Sequence, residues 1–142
     1  MTVAEETEGG HVAPSRTVLV AVLAVTAVSL VGAVVSVSAD LSPTFLDAVG
    51  PDGHLSVPLP MTLFQVLMAL AAGTRRRPLA LLGSGLLALA TTVAVASGFF
   101  DGGYADERLD PTQRAYQVVL VLGLVAVAVL AAVRFARVWR SR

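Results

Sequence analysis

The stretch GFFDGGYADERLDPTQRAYQ, residues 98–117, is where this chain could do chemistry. It sets the Tyr104 phenol, the Asp106 and Glu107 carboxylates and the Arg108 guanidinium within five positions, and it holds four of the chain's ten acids. Neighbouring carboxylates can share a proton in acid–base work or hold a cation. That needs a fixed geometry, and much of the stretch has a plainer reading. Asp110, Pro111 and Gln113 spell a helix start, with Asp110 as N-cap, Pro111 at the first helical position and an Asp-x-x-Gln capping box. Arg114, four residues on, can pair with Asp110. Gly102 suits the left-handed position that closes the preceding helix, with Gly103 freeing the turn. Tyr104, Asp106, Glu107 and Arg108 are left as a candidate contact for a cation or a partner.

Elsewhere reactive groups are sparse. The absence of cysteine excludes thiol nucleophiles, disulfides and cysteine-held metals. His11 and His54 are the only histidines and both lie outside the apolar segments, so no pair of helices can hold a haem between them. Serines and threonines inside those segments have no histidine or acid beside them to activate an attack. Asp47, Asp52 and His54 match no metal-site spacing. The GSG at 83–85 has no lysine after it and lies in an apolar run, unlike a phosphate loop. The sequence thus predicts neither enzyme nor cofactor, and zero net charge gives no field for nucleic acid.

The elements that would position these residues are apolar. Of 142 residues, 56% are hydrophobic and 14% charged, against about 25% charged in a soluble domain; the mean hydropathy is +0.78. Segments 17–39, 55–73, 78–100 and 115–133 carry no Asp, Glu, Lys, Arg or His. A bilayer core about 30 Å thick needs roughly 20 apolar residues as helix. The expectation is an all-α membrane protein: a single four-helix transmembrane domain over 16–138, with spans at about 17–39, 57–73, 78–100 and 111–136. A disordered cytoplasmic tail is expected at 1–15 and a basic one at 139–142. Pro58 and Pro60 place the regular part of the second span from about Leu59. The acidic segment before the first span and its 23-residue length predict a retained anchor rather than a cleaved leader. In the first connecting loop, Ser42 and Pro43 read as a helix start and Gly50–Pro51 as its stop. A two-turn surface helix with Phe45, Leu46 and Val49 on one face follows.

Charge orients the spans. Eight Arg fall at one end of the bundle and two at the other, which also holds seven acids. The positive-inside rule puts both termini and the Arg75–Arg76–Arg77 triplet in the cytoplasm. Trp139 and Phe135 then fall in an inner aromatic belt, and Tyr104 and Tyr116 in an outer one. Arg75, Arg76, Arg77, Arg134, Arg137 and Arg140 could also meet anionic lipid headgroups.

Small and weakly polar residues mark contacts between membrane helices. The third span shows Ala80, Ser84, Ala88, Thr92 and Ala96 at intervals of four. The first has Thr26, Ser29, Ala33 and Ser36, and the second Thr62, Gln65, Ala69 and Ala72. In the last span Gly123, Ala128 and Ala132 are the small positions. These faces predict that the first three spans meet one another. Gln65, Thr62, Ser29, Ser84 and Thr92 are the candidate polar contacts between helices.

In length, span count and composition, including basic residues that are all Arg, the chain resembles the small uncharacterised four-span membrane proteins common in GC-rich, actinobacterial-type genomes. The resemblance covers the whole chain and implies a multi-pass protein of the bacterial cytoplasmic membrane. It carries over no activity and no functional residue. The four-span multidrug exporters share the length, but their mid-membrane glutamate has no equivalent in the first span. The partners expected are the lipid bilayer and either a second copy or another membrane protein. The functional expectation is an accessory or scaffolding subunit, the alternative a small oligomeric transporter or channel for a small or apolar solute.

Overall fold

A computed structural model describes residues 12, 13, 15–51, 53, 55–100, 104 and 107–141. Among them the regular structure is helical: α1 Thr17–Ser38, α2 Phe45–Ala48, α3 Leu59–Gly73, α4 Arg77–Phe100 and α5 Pro111–Arg140. Three of these, α1, α4 and α5, are long and apolar enough to cross a membrane, and α3 is a shorter apolar helix.

Local chemistry sets the ends. After α1, Asp40 takes the left-handed conformation at φ 54°, one that Asp tolerates better than most residues. The Leu41 N–H then reaches back to the Ser36 carbonyl at 2.9 Å, and the Asp40 N–H to Val37 at 3.2 Å, closing the helix by a Schellman pairing. At α5 the expected capping box is formed: Gln113 N–H donates to Asp110 Oδ1 at 2.8 Å, and Asp110 N–H to Gln113 Oε1 at 3.0 Å. Arg114 does not pair with Asp110; its Nε–H donates to the Leu109 carbonyl at 3.2 Å. Gly102 and Gly103 lie outside the described residues.

The long helices form a square. α1 packs against α3 and α5, α4 packs against the same two, and α1 and α4 sit at opposite corners without meeting. The expected convergence of the first three spans is therefore corrected: α5 lies between α1 and α4, and Leu120, Leu124, Val127 and Ala131 join Val18, Val22, Val25, Ala69 and Leu87 in the core. Ala131, not Ala132, is its buried small residue in the lower half of the helix, since Ala132 is exposed.

The face of α4 is corrected for a geometric reason. Its buried residues are Ala80, Gly83, Ser84, Leu87 and Thr91. A strict interval of four drifts about 40° per step on a helix of 3.6 residues per turn. By Thr92 the stripe has turned away from α3, and Thr92 and Ala96 are exposed. The faces of α1 and α3 stand: Ser29, Ala33 and Ser36 are buried on one, Thr62, Gln65, Ala69 and Ala72 on the other.

Between α2 and α3 the chain enters the bundle unwound. Leu55, Ser56 and Val57 are buried. The Val57 N–H donates to Ser29 Oγ at 2.8 Å, about 13 Å below the end of α1 at 1.5 Å per residue. Ser56 Oγ donates to the Ala48 carbonyl, and Leu59 N–H to Val49 at 2.8 Å. Irregular backbone is tolerated in a protein interior where its polar groups find partners.

Three boundaries differ from expectation. α2 is one turn, capped by Thr44, whose Oγ1 accepts the Asp47 N–H at 3.2 Å. Ser42 instead bonds Ser36 Oγ at 2.9 Å. Ala48 and Val49 pack on Ala33, while Phe45 and Leu46 stay exposed. Within the expected N-terminal tail, Val12 is buried and donates its N–H to the Arg75 carbonyl at 3.0 Å. At the other end α5 runs through Arg140, taking in half of the expected tail.

Candidate functional site

At the acidic end three of the four candidate residues, Tyr104, Glu107 and Arg108, are described. Tyr104 turns inward. Its ring meets Phe99 edge-on at 4.8 Å, its hydroxyl donates to the Val95 carbonyl at 3.0 Å, and it covers Gly98, where a Cβ would strike the ring. Burial raises its pKa above the ordinary phenol value. Glu107 and Arg108 are exposed, Arg108 with partners of its own within the protein. Asp106 lies outside the described residues, as do Asp52, His54 and His11. Tyr116 also turns inward: its hydroxyl donates to the Val28 carbonyl, and its ring faces Gly32 across the α1–α5 contact.

Inside the bundle, polar side chains find partners close by. Gln65 Nε2 donates to Thr91 Oγ1 at 3.4 Å, linking α3 to α4. Such bonds average about 0.6 kcal/mol in membrane proteins. Thr92, expected to take part, donates to Ala88 on its own helix at 2.7 Å. Ser84 Oγ does the same with Ala80, and Thr62 Oγ1 with the Pro58 carbonyl at 3.3 Å. Of the five candidates, Gln65 joins two helices and Ser29 joins α1 to the unwound segment. Thr26 Oγ1 is buried without a partner.

The basic end is the most organised. Arg134 is a fork between two backbone segments: Nε–H donates to the Ala72 carbonyl at 3.1 Å, Nη2–H to the Ala13 carbonyl at 2.8 Å. Ala72 belongs to the last turn of α3, where carbonyls lack partners in their own helix. Arg77 Nη2–H donates to the Trp139 carbonyl at 3.3 Å, near the end of α5. Arg75, Arg76, Arg137 and Arg140 are exposed. Trp139 stacks on Phe135 at 5.9 Å and stands half-exposed. Two of the six candidate arginines thus tie helix ends together, and four face outward. Between the N-terminal segment, the start of α1 and the end of α5 runs a groove of about 610 Å³, lined by Arg134 and Arg137.

Sequence reasoning missed Thr91, the Ser36–Ser42 pair and the Tyr116 hydroxyl bond. Applying the 3.6-residue period to α4 would have picked Thr91 over Thr92. Nothing local points to the other two. The chain matches no family model, no curated protein and no solved structure.

Proposed function

We propose that this chain crosses the bacterial cytoplasmic membrane four times, with both termini inside, and acts as an accessory or scaffolding subunit packed with itself or with a larger membrane complex. The 15-residue α3 alone supplies about 22 Å. Unwound residues precede it, with Leu55, Ser56 and Val57 buried against α1, and they extend that pass towards the roughly 30 Å of a bilayer core. The contrast between the arginine-rich end and the acidic end supports the orientation.

The observation that carries the subunit reading is the internal use of polar side chains. Gln65, Ser29, Thr62 and Ser84 each bond within the bundle, so they do not form a free polar lining. Outward, leucines such as Leu63, Leu67, Leu89 and Leu122 are exposed, as suits lipid or another membrane helix. Among the described residues, Thr26 Oγ1 is the buried hydroxyl without a partner on which a solute path could draw. Extraction in mild detergent followed by native mass measurement tests the reading. The expected result is a species heavier than the 14.6 kDa chain, either a homo-oligomer or a complex with a second protein. Recovery of monomer alone overturns it.

A further inference from the structure

The groove at the basic end has a polarity that changes along its length. Leu130, Val133, Arg134 and Arg137 follow one another along α5 on its wall, with Ser141 just past the helix end, and Val18 of α1 is on the groove as well. From Leu130 to Ser141 is about 16 Å at 1.5 Å per residue. The half nearer mid-membrane is apolar; the half towards the helix end carries two guanidinium groups and the hydroxyls of Ser15, Thr17 and Ser141, beside Val12 and Val138. Among the described residues no acid lines it. Its volume of about 610 Å³ lies within the range of about 300–1,000 Å³ usual for ligand sites. Arg134 is fixed in place by its bonds to Ala72 and Ala13 and keeps further N–H donors beyond those two. Arg137, one turn on and exposed, is a second cation on the same wall.

We propose that this groove binds one anionic phospholipid, its phosphodiester between Arg134 and Arg137 and an acyl chain on Val18, Leu130 and Val133. Guanidinium groups match phosphate oxygens by paired hydrogen bonds. The apolar floor selects a lipid over a free phosphate, and the two guanidinium groups of the wall select an anionic headgroup over a zwitterionic one. The inference rests on the chain being in a bilayer, and is independent of which protein partner it has.

The test uses the full-length chain reconstituted with phosphatidylcholine and phosphatidylglycerol, then released in mild detergent for native mass measurement of retained lipid. The wild type is expected to keep phosphatidylglycerol over phosphatidylcholine. Arg137→Gln should weaken that retention about fivefold, the equivalent of about 1 kcal/mol per charge. Val133→Trp, at an exposed position, should fill the floor and abolish it, and glycerophosphate should not compete. A joint Arg75→Gln and Arg76→Gln variant, changed outside the groove, should behave as wild type. No preference in the wild type, an unchanged Arg137→Gln, an equal loss in the Arg75/Arg76 variant, or competition by glycerophosphate overturns the proposal. Retention that appears only after Glu5, Glu6 and Glu8 become Gln also overturns it, by making the acidic N-terminal stretch the occupant.

Discussion

Gly32→Ala is expected to destabilise the bundle by about 2 kcal/mol, although alanine is the better helix former. In α1, substituting Gly by Ala should gain about 1 kcal/mol from propensity. A Cβ at Gly32, however, would overlap the Leu55 carbonyl oxygen and come within 2.9 Å of the Tyr116 ring. Overpacking costs about 1–3 kcal/mol, and the main obstacle is backbone, held by the adjoining Val57–Ser29 bond, so the cost falls at or above the top of that range. The difference leaves the stated loss. Gly123→Ala is the control. Its Cβ would meet a single side-chain atom, Val25 Cγ2, at 3.0 Å, so clash and propensity should nearly cancel. Thermal unfolding of both variants in one detergent distinguishes them. Equal stability of the two would mean that the unwound segment does not press on α1 as described.

Arg134→Gln is expected to cost about 2 kcal/mol and to loosen the N-terminal segment. Losing a hydrogen bond to a charged group costs about 1.5–3 kcal/mol. Arg134 makes two, to Ala72 and Ala13, but is partly exposed, and water replaces some of what is lost. Arg134→Lys should not rescue, because one ammonium cannot reproduce a planar fork between two carbonyls. The readouts are the unfolding midpoint and tryptic cleavage after Arg16, which is exposed just beyond the anchored stretch. A loss of about 2 kcal/mol raises the open population roughly 30-fold where opening is local. If Arg134→Lys matches the wild type in both, charge alone suffices and the fork is not the device.

Much of the helical framework was legible because its signals are local. Long uncharged runs mark α1 and α4, and the Asp110–Gln113 box with Pro111 marks the start of α5. The small-residue faces of α1 and α3 were also legible, since Thr62, Gln65, Ala69 and Ala72 follow the helical period over a short helix. On α4 the same method failed beyond Ser84, because a four-residue interval drifts off the face with length. The unwound entry of 55–58 was not legible. Pro58 and Pro60 say only that the helix starts late; that Leu55 is buried depends on Gly32 and Ser29, far away in sequence. The candidate site fared unevenly for the same reason. Tyr104 reads as exposed in a polar loop until Gly98 and Phe99 are beside it. Arg134 reads as a topology charge until the carbonyls of Ala72 and Ala13 are placed around its guanidinium.

The central claim is that the short α3, with its unwound lead-in, completes a fourth crossing, and that both termini lie inside. The chain contains no cysteine, so single substitutions report without background. Leu46→Cys, Arg76→Cys and Glu107→Cys sit at exposed positions before α3, between α3 and α4, and between α4 and α5. In intact cells an impermeant thiol reagent should label Leu46→Cys and Glu107→Cys, and should reach Arg76→Cys only after the membrane is opened. Labelling of Leu46→Cys and Arg76→Cys from the same side would contradict the crossing by α3, and a reversed pattern at all three would contradict the orientation.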